Sequence, residues 1–497
     1  MGLRTIQYMI TKEVILIYPK TGMDTPDTIS LPLALLLISG KLAADERFTI
    51  TILDQRLNKN WRKQLKDKLA SSNSICVGLS AMTGTQIRHA LEAASLVRKF
   101  NPRIPLIWGG IHPTLAPFET IADPLVDIVV IGEAEDTFSE LVLALNDGTN
   151  LCDIPGILYK DNSGNIVETP DRMYANVSDP PEIPYHLLDV TKYFYDVVGT
   201  KALPMLFSRG CPHRCEFCYL SNSEPPKWRP FPLEYVLKEI ANLQAFGAKT
   251  IIPLDDNYFV DRKRVIEICE LLKVNNVHVN FHVNCRIDYA DKMDEEFLQA
   301  LIDNGFISWD FGIESGSQKI LDYMKKDIKV DQILRVNMKL KKVGIVPTYS
   351  FMGGFYGETY EDLMKTVNLM LTLLEDNPEA FISPIKIYTP FPDTTMIKSL
   401  PESYWVPPKT LRDWADYDYN TPQITWHNRR MTRRLQKVSY FTYFFDTKRL
   451  ISVFGKNILV RKILGIYSLI ARYRVKNGFY GFSLDFYLLK LLYFLRK

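Results

Sequence analysis

Three cysteines lie close together near the middle of the chain with the spacing Cys-x3-Cys-x2-Cys. They are Cys211, Cys215 and Cys218, in the segment SRGCPHRCEFCYL. Cysteine thiolates bind iron–sulfur clusters, and three thiolates leave one iron of a four-iron cluster open to another ligand. The alternatives are three unrelated reduced thiols, or a zinc site in which His213 is the fourth ligand from an unfavourable position between two cysteines. The spacing favours the cluster. For the other four cysteines, buried structural thiols are expected: Cys76, Cys152, Cys269 and Cys285.

The three cysteines follow the first strand of a series in which strands alternate with helices. We predict six strands, at Pro204–Phe207, Thr250–Leu254, His278–Asn284, Trp309–Gly312, Pro347–Phe351 and Phe381–Tyr388. Helices such as Leu233–Phe246 and Asp294–Asn304 separate these strands. Six βα units predict a partial (β/α)6 TIM barrel over residues 201–400, closed or nearly closed, with its active site at the carboxyl ends of the strands.

A shorter alternating series comes earlier in the chain. Its predicted strands are Val14–Tyr18, Phe48–Leu53, Ile75–Ser80, Leu106–Trp108 and Ile128–Ile131. The alternation predicts an α/β domain, a doubly wound Rossmann-like sheet, over residues 1–159. Such sheets bind ligands beyond the carboxyl ends of their strands. Residues 160–200 are rich in Pro, Asp, Asn and Ser, which predicts a linker.

Composition places the chain among ordinary globular proteins. It has 497 residues, of which 46% are hydrophobic and 24% charged, so disordered, collagen-like and disulfide-scaffold classes are excluded. It has no run of 18 or more uncharged apolar residues, so no membrane-spanning helix is expected. The first residues lack a secretory pattern, and we expect a cytoplasmic protein whose cysteines are reduced or bind metal.

The net charge of +3 conceals a basic, aromatic end of the chain. Residues 429–497 contain 16 Lys and Arg against Asp446 and Asp485, a net charge of +14, so residues 1–428 carry −11. Residues 401–497 are predicted to be helical. The basic helices either pack on the barrel or lie on an anionic membrane surface, peripheral to the inner membrane face. The second alternative would fit a hydrophobic substrate delivered from the bilayer.

The cysteine segment resembles the cluster motif of radical S-adenosylmethionine (SAM) enzymes, with an aromatic residue, Phe217, before the last cysteine. The resemblance implies a 4Fe-4S cluster and SAM. A chelated SAM needs an acid near its ammonium group and a base near its carboxylate, which the two aspartates and the arginine below could supply. The residues that the resemblance places at SAM are Phe217, Asp255, Asp256, Arg286, Glu314, Ser315, Gly353, Gly354 and Tyr388. Asp393 stands where relatives usually have Gly.

The N-terminal series resembles the cobalamin-binding half of cobalamin-dependent radical enzymes, so that the two resemblances together cover about residues 10–400. The implied cobalamin contacts are Tyr18, Pro19, Ser80, Thr83, Gly109, Gly110, His112, Pro113, Gly132 and Glu133. The Asp-x-His-x-x-Gly loop of classical cobalamin carriers is absent from the Tyr18–Asp24 turn. We therefore expect no protein histidine below cobalt, and we expect His112 to contact the corrin or the nucleotide tail. The alternative is a domain that has lost cobalamin and persists as a scaffold.

The combined resemblance implies a cobalamin-dependent radical SAM methyltransferase that acts on an unactivated carbon, through a 5′-deoxyadenosyl radical and methylcobalamin. Tyr219, Tyr258 and Tyr356 are candidate hydrogen-atom donors or acceptors, with packing as the alternative role for each. The implied partners are a small-molecule substrate and a low-potential electron donor of the flavodoxin or ferredoxin type, and no DNA.

Three other functions remain open at this point. The first is an oxidative cyclase or rearrangement enzyme that uses cobalamin without methyl transfer, as the resemblance to the anaerobic magnesium-protoporphyrin ester cyclase allows. The second is an RNA-modifying radical enzyme, which would normally need a second cluster, whereas the sequence has no second set of three spaced cysteines. The third is a non-catalytic cobalamin or iron–sulfur sensor.

Overall fold

The computed structural model describes residues 11–22, 24, 29–70, 73–172, 174–222, 228–417, 424–448, 451 and 458–480. The first sheet contains β1 (Lys12–Tyr18), β2 (Phe48–Asp54), β3 (Ser74–Ser80), β4 (Leu106–Gly109), β5 (Ile128–Val130), β6 (Ile157–Lys160) and β7 (Ile166–Glu168). Its helices are α1 (Leu33–Ala43), α2 (Trp61–Ala70), α3 (Thr85–Phe100), α4 (Ile111–Leu115), α5 (Pro117–Ile121) and α6 (Glu135–Asp147).

The strand order in this sheet is β2-β1-β3-β4-β5-β6-β7, with β1–β5 parallel and β6 and β7 antiparallel. The central strand β1 is an apolar run whose residues Val14–Ile17 are fully buried, as expected for a parallel strand covered on both faces. This arrangement confirms the predicted Rossmann-like sheet.

The second sheet contains β8 (Tyr195–Val197), β9 (Thr200–Met205), β12 (Thr250–Pro253), β13 (Asn280–Asn284), β14 (Phe306–Glu314), β15 (Val346–Gly353) and β16 (Phe381–Ile387); β10 (Ser208–Arg209) and β11 (Arg229–Pro230) form a separate hairpin. Its helices are α7 (Leu233–Ala245), α8 (Arg262–Val274), α9 (Ile287–Asp291), α10 (Glu295–Asp303), α11 (Gln318–Tyr323), α12 (Val330–Val343), α13 (Tyr360–Asp376) and α14 (Thr395–Lys398).

The six predicted barrel strands are present and parallel, in the order β16-β15-β14-β13-β12-β9. Strand β8 adds an antiparallel edge next to β9. With β8 and β16 at its edges, the sheet is an open half-barrel, so the predicted partial barrel is present but the expected closure is not.

Residues 160–200 are not simply a linker. They contain β7, which extends the first sheet, and β8, which extends the second. Tyr185, Val190 and Tyr193 in the same segment are buried. The Pro- and Asp-rich composition correctly indicates turns, but β7 and β8 are half-buried or exposed and lack the buried apolar run by which a strand is recognised.

The C-terminal region contains α15 (Leu411–Trp414), α16 (Arg429–Thr442) and α17 (Ile458–Lys476). Helix α16 packs on the edge of β16: Ser439 Oγ donates to the carbonyl of Ile385 at 2.7 Å, and the N–H of Ile385 donates to Thr442 Oγ1 at 3.0 Å. Of the two alternatives for the basic helices, α16 therefore follows the first and packs on the barrel. Helix α17 leaves several apolar side chains exposed, Ile463, Ile466, Leu469 and Ile470.

Among the described residues, no helix is both long enough and apolar enough to cross a membrane. Residues 449–450, 452–457 and 481–497 of the predicted basic end lie outside the described part of the chain.

Candidate active site at the carboxyl ends of the strands

The three spaced cysteines lie in a loop, Cys211–Cys218, that we call the cysteine loop. It follows β10, and Gly210 enters it with a φ of 83°, a conformation that favours glycine. The N–H of Gly210 donates to Asp256 Oδ2 at 2.9 Å, and the N–H of Cys218 donates to the carbonyl of Cys215 at 3.0 Å. Cys215 is buried, whereas Cys211 and Cys218 are half-buried. The loop is thus attached to the end of β12.

Nitrogen donors converge on the sulfur atoms of this loop. Arg286 Nη1 lies 3.6 Å from Cys215 Sγ, and Asn257 Nδ2 lies 4.0 Å from Cys211 Sγ. A second nitrogen of Arg286, Nη2, donates to the carbonyl of Lys326 at 2.6 Å, and Nε donates to Asp288 at 2.9 Å. Cations and N–H donors beside cysteine sulfurs stabilise the negative charge of a thiolate-bound cluster. The residues present therefore fit the group that the spacing predicts.

The zinc alternative requires a site for a single metal ion. Within the described ranges, no group of three or more His, Cys, Asp or Glu side chains could hold a metal ion. His213, the fourth ligand in the zinc alternative, has its Nε2 atom 3.1 Å from the hydroxyl of Tyr289.

Of the other cysteines, Cys76, Cys269 and Cys285 are buried, but Cys152 is exposed, so the prediction of a buried thiol is wrong there. Cys152 lies in a short turn at the surface rather than in an element of the core.

The two aspartates at the end of β12 have different surroundings. Asp255 is 3% exposed, and its carboxylate accepts from the N–H of Phe207 at 2.7 Å and from Ser208 Oγ. Burial raises the pKa of Asp255 to about 7 against the effect of these donors. Asp256, by contrast, accepts from Gly210 and, at 2.7 Å, from the hydroxyl of Tyr219. Asp255 holds the end of β9, and Asp256 is the aspartate that faces the cysteine loop.

Glu314 ends β14 and Ser315 follows it, and their side chains have different partners. Glu314 has a φ of 65°, and its Oε1 atom lies 3.0 Å from Lys326 Nζ, with both side chains about 10% exposed. Lys326 in turn lies over the ring of Phe217 at 5.5 Å, which brings this ion pair to the cysteine loop. The hydroxyl of Ser315 lies 3.1 Å from Thr366 of α13 and is fully buried.

The Gly353-Gly354 turn after β15 is packed tightly. Gly354 has a φ of 93°, and a Cβ atom there would lie 2.7 Å from Leu435 of α16. The carboxylate of Glu358 accepts from the N–H groups of Gly354 and Phe355, while Trp426 Nε1 donates to the carbonyl of Gly354 at 2.8 Å. Burial raises the pKa of Glu358 to about 7. Both sides of this turn are therefore held by side chains.

Aromatic residues complete the barrel end. Tyr388 is 2% exposed and stacks on Phe355 with ring centroids 4.9 Å apart. Phe355 also contacts Phe217 of the cysteine loop at 6.5 Å. Asp393, at the position where relatives usually have Gly, has a φ of 62°, so the left-handed conformation is kept without glycine.

The three candidate tyrosines lie in different places. Tyr219 is 37% exposed and bonds to Asp256 beside the cysteine loop. Tyr356 is half-buried and packs on Tyr404 at 5.3 Å. Tyr258 is 4% exposed within an aromatic cluster with Phe207, Phe259 and Phe306. These contacts give Tyr258 a packing role, which is the alternative that the sequence left open.

A second set of predicted residues lies at the carboxyl end of the first sheet. Tyr18 ends β1 under the guanidinium of Arg56, which lies 4.0 Å from the ring centroid. The carbonyl of Pro19 accepts from Gln86 Nε2 at 3.2 Å. Gly110 has a φ of 97°, and a Cβ atom there would lie 3.1 Å from Ser80 Oγ. The ends of β1, β3 and β4 thus meet at one edge.

His112 is buried at this edge with one nitrogen unpartnered. Its Nδ1 atom lies 2.9 Å from Thr83 Oγ1, whereas Nε2 has no hydrogen-bond partner. The ring is fully buried, next to Pro113 in α4, and packs edge-on against Trp414 of α15 at 5.8 Å. Burial lowers the pKa of His112 to about 3, so the imidazole is neutral near pH 7.

Two glycines at the same edge are not closely covered by other atoms. Gly132 has a φ of 75° and nothing within 4 Å of an added Cβ, and its N–H donates to Thr114 Oγ1 at 3.0 Å. At Gly109 an added Cβ would meet its nearest atom only at 3.8 Å. Together with the unpartnered nitrogen of His112, these positions fit the cobalamin that the resemblance implies.

Glu133 has protein partners at both carboxylate oxygens. Its carboxylate pairs with Arg229 and accepts from the N–H of Ala175 at 3.0 Å, and Arg209 Nη1 lies 3.2 Å from Oε2. Arg209 also pairs with Glu135 of α6. Burial works to raise the pKa of Glu133, but these arginines outweigh it and hold the pKa below its usual range. We call these four residues the arginine–glutamate network.

The arginine–glutamate network joins the two sites. Arg209 immediately precedes Gly210 and the cysteine loop. Arg229 lies opposite Arg209 in the antiparallel register of the β10–β11 hairpin. Glu133 and Glu135 follow β5 at the carboxyl end of the first sheet. Sequence reasoning missed this network because its partners are 74 and 96 residues apart. Sequence reasoning also missed Lys326, Asn257 and Trp414, because no motif marks them as site residues.

Comparisons with known proteins agree with this geometry. The family model for the radical SAM superfamily matches residues 205–370, and that for the B12 binding domain matches residues 19–142. An uncharacterized methyltransferase of Pyrococcus horikoshii is 33% identical over 322 residues, 64% of this chain and 68% of that protein. The anaerobic magnesium-protoporphyrin IX monomethyl ester cyclase of Rubrivivax gelatinosus is 27% identical over 393 residues, 78% of this chain and 68% of that protein.

A solved structure shares the fold. The radical SAM methyltransferase TsrM of Kitasatospora setae, solved with cobalamin and a 4Fe-4S cluster bound, superposes with a TM-score of 0.63 at 19% identity, covering 78% of this chain and 74% of that one. The chain therefore belongs to the radical SAM superfamily, in the group of enzymes that also carry a B12-binding domain, and its cofactors are a 4Fe-4S cluster, SAM and cobalamin.

Proposed function

We propose that this enzyme transfers a methyl group from SAM to an unactivated carbon of a small molecule. The observation that carries the proposal is the arginine–glutamate network, which attaches the cysteine loop to the glycine-lined edge of the B12-binding domain. An enzyme that uses a radical and a methyl donor in one turnover needs its two cofactor sites in fixed proximity. The 33% identical curated relative is named a methyltransferase, which supports the same activity.

The residues have separate roles in this proposal. Cys211, Cys215 and Cys218 hold the cluster. Arg286, close to Cys215 Sγ, binds the carboxylate of SAM, and Asp256 binds its ammonium group. Other predicted SAM contacts act through shape: Phe217, Gly353, Gly354 and Tyr388 form the packed wall at the carboxyl ends of β15 and β16.

Several predicted site residues position others. Asp255 holds the end of β9 in place, and Glu133 holds the hairpin next to the cysteine loop. Among the predicted cobalamin contacts, Gly109 and Gly132 leave room, and His112 offers Nε2 as a neutral polar contact. The cofactors, when bound, supply the radical and methyl-transfer chemistry, while the chain supplies binding, orientation and exclusion of water.

Isotope transfer tests the proposal. The reconstituted protein is loaded with cobalamin, reduced and mixed with methyl-labelled SAM. The labelled methyl group is expected to appear on protein-bound cobalamin, and then as one labelled methyl group on a product from a cell extract. If SAM is cleaved to 5′-deoxyadenosine while the label never reaches cobalamin, methyl transfer is excluded.

A second candidate function is an oxidative cyclisation without methyl transfer. It is favoured by the 27% identical relative, which is named a cyclase and matches 78% of this chain. The mass of the product separates the two functions, because a cyclase consumes SAM without leaving its methyl group on the product.

Two partners remain predictions. A flavodoxin or ferredoxin would supply electrons to the cluster, and reduction of the reconstituted protein by each carrier tests this.

A peripheral membrane contact would use the exposed apolar side chains of α17. Flotation with anionic vesicles tests it, with a chain that lacks residues 458–497 as the control; equal flotation of both chains would count against the contact.

A further inference from the structure

A polar stripe crosses the face of the half-barrel that is turned away from the helices. In β14, Trp309 and Phe311 are at most 1% exposed and pack on Phe259 and Tyr349, and Tyr349 bonds to Asn337 of α12. These side chains define the helix-covered face. Because side chains alternate along a strand, the intervening residues of β14 face the barrel lumen: Ser308, Asp310 and Gly312.

The strand registers continue this stripe across neighbouring strands. Asn284 of β13 and Thr348 of β15 lie opposite Asp310, and Ser350 lies opposite Gly312. Asn284 is exposed. The lumen wall is therefore polar and accessible over three strands, in contrast to the apolar filling that usually packs the interior of a βα barrel.

A hydrogen-bonded series of three residues lies at the centre of the stripe. Ser308 Oγ lies 2.7 Å from His282 Nδ1, and His282 Nε2 lies 3.1 Å from Asp310 Oδ2. With the serine hydroxyl donating to Nδ1, the Nε2–H of a neutral imidazole donates to the carboxylate. The imidazole thus orients Asp310 as an acceptor.

Asp310 retains unused capacity to accept hydrogen bonds. Its side chain is 41% exposed, while its Oδ1 atom is buried and has no hydrogen-bond partner. A carboxylate has about four lone-pair sites, and the imidazole occupies one. The exposed part of the carboxylate is therefore open to a donor from the lumen, and an unpartnered buried oxygen beside it is unusual in a folded protein.

The stripe leads to the cofactor end of the barrel. An added Cβ on Gly312 would lie 2.5 Å from Glu314 Oε1 and 3.2 Å from Lys326 Nζ, so the Glu314–Lys326 pair lies directly beyond it. Lys326 contacts Phe217 of the cysteine loop and Arg286. A molecule bound at Asp310 would lie in the lumen that opens toward these residues.

We infer that Asp310, oriented by His282, binds an amino or hydroxyl group of the substrate in the barrel lumen. This inference rests on the proposed function, since it names a chemical class for the substrate of the same enzyme. The recognised feature is a hydrogen-bond donor. A charged amine would gain a charge-assisted bond, and a hydroxyl a weaker one. A purely hydrocarbon substrate would leave the carboxylate unpaired.

A matched set of probes tests the inference on protein loaded with cluster and cobalamin. Benzylamine, benzyl alcohol and toluene have similar shapes, and their Kd values are measured by ligand-observed NMR. At least one donor-bearing probe is expected to bind about ten-fold more tightly than toluene. The Asp310→Asn variant is expected to raise the Kd of that probe about ten-fold, because it removes the charge. A larger loss for the amine identifies an amino group, and a larger loss for the alcohol identifies a hydroxyl.

Two further variants complete the test. Asp303→Asn makes the same change at the end of α10, outside the lumen, and is expected to leave all three Kd values unchanged. Ser308→Ala releases the imidazole but keeps Asp310, and it is expected to weaken the same probe to a smaller extent, even if Asp310→Asn does not fold. Toluene binding as tightly as both other probes, or equal Kd values for wild type, Asp310→Asn and Ser308→Ala, would overturn the inference.

Cleavage of SAM by the same wild-type sample separates this inference from the proposed function. Wild type that binds donor probes through Asp310 but never cleaves SAM would contradict the function and leave the lumen site standing. Wild type that cleaves SAM and binds the probes independently of Asp310 would contradict the lumen site alone.

Discussion

Buried carboxyl groups hold the loops around the active site. Asp255 anchors the end of β9, and Glu358 anchors the Gly353-Gly354 turn, each by accepting N–H groups of the backbone. Burial raises the pKa of both carboxyls to about 7. At the scale of single residues, the structure thus contains acidic groups that act on backbone geometry rather than on a ligand.

Glu358 provides a prediction of pH dependence. A carboxyl whose pKa is raised on folding stabilises the folded state below its unfolded pKa, about 4.5 for Glu358. This stabilisation is lost as the pH rises from there through about 7, by up to about 1.4 kcal/mol per pH unit. We expect Tm to fall between pH 5 and pH 7 in wild type, and to fall less in Glu358→Gln. Glu361→Gln, an exposed change on α13, is the control and should follow wild type. Identical Tm changes in all three proteins would contradict the assignment.

The β10–β11 hairpin connects the barrel to the B12-binding domain. It carries Arg209 and Arg229, which pair with Glu133 and Glu135 after β5. The side chains of Arg209 and Glu135 are only 14% and 9% exposed. Removing one partner from such a pair leaves a buried charge uncompensated.

Hydrogen exchange tests this connection. In Glu135→Gln, we expect the free energy of opening of residues 204–211 to fall by about 2 kcal/mol, which corresponds to about a 30-fold faster amide exchange. Glu182→Gln removes an acid from the exposed pair with Lys238 and should leave the exchange of this segment unchanged. Equal exchange in both variants would show that the network does not hold the hairpin.

The elements themselves could be predicted to a large extent. The parallel strands of both sheets can be predicted from apolar runs between helical segments, because β1, β14 and their neighbours are buried and rich in residues that favour strands. The strands β7 and β8 could not be predicted, because their residues are half-buried or exposed and form no buried apolar run, unlike the equally short β5. The two arginine partners of Glu133 could not be predicted from the sequence either, since nothing local distinguishes a glutamate that contacts a ligand from one that pairs with a distant arginine. The contrast between Asp255 and Asp256 likewise depends on burial.

At the scale of the whole molecule, the C-terminal region ties the barrel to the B12-binding domain. Trp414 of α15 covers His112, Arg412 pairs with Asp123 at 2.8 Å, and Arg88 pairs with Asp416 at 2.6 Å. Basic side chains of this region also stack on aromatic rings, as Arg474 does on Phe441 at 4.5 Å. Some of the basic and aromatic side chains of this region therefore contact one another or the rest of the chain.

The variant Trp414→Ala tests this role. The side chain is 2% exposed, and its removal is expected to cost about 3–5 kcal/mol because it leaves a cavity next to His112. We expect a lower Tm and faster exchange in α3 and α4 of the B12-binding domain. Phe118→Ala, at a side chain that is 52% exposed, is the control and should change neither. Unchanged exchange in α3 and α4 of Trp414→Ala would show that the C-terminal region does not stabilise that domain.

Cys211, Cys215 and Cys218 are expected to hold the four-iron cluster that cleaves SAM. Its most direct test is electron paramagnetic resonance of the anaerobically reconstituted, reduced protein, followed by quantification of 5′-deoxyadenosine from the same samples. We predict a four-iron signal and 5′-deoxyadenosine for wild type and for Cys152→Ala, which removes an exposed thiol outside the loop, and the loss of both for Cys215→Ala. A four-iron signal of full strength in Cys215→Ala, or none in wild type, would show that these three cysteines do not hold such a cluster.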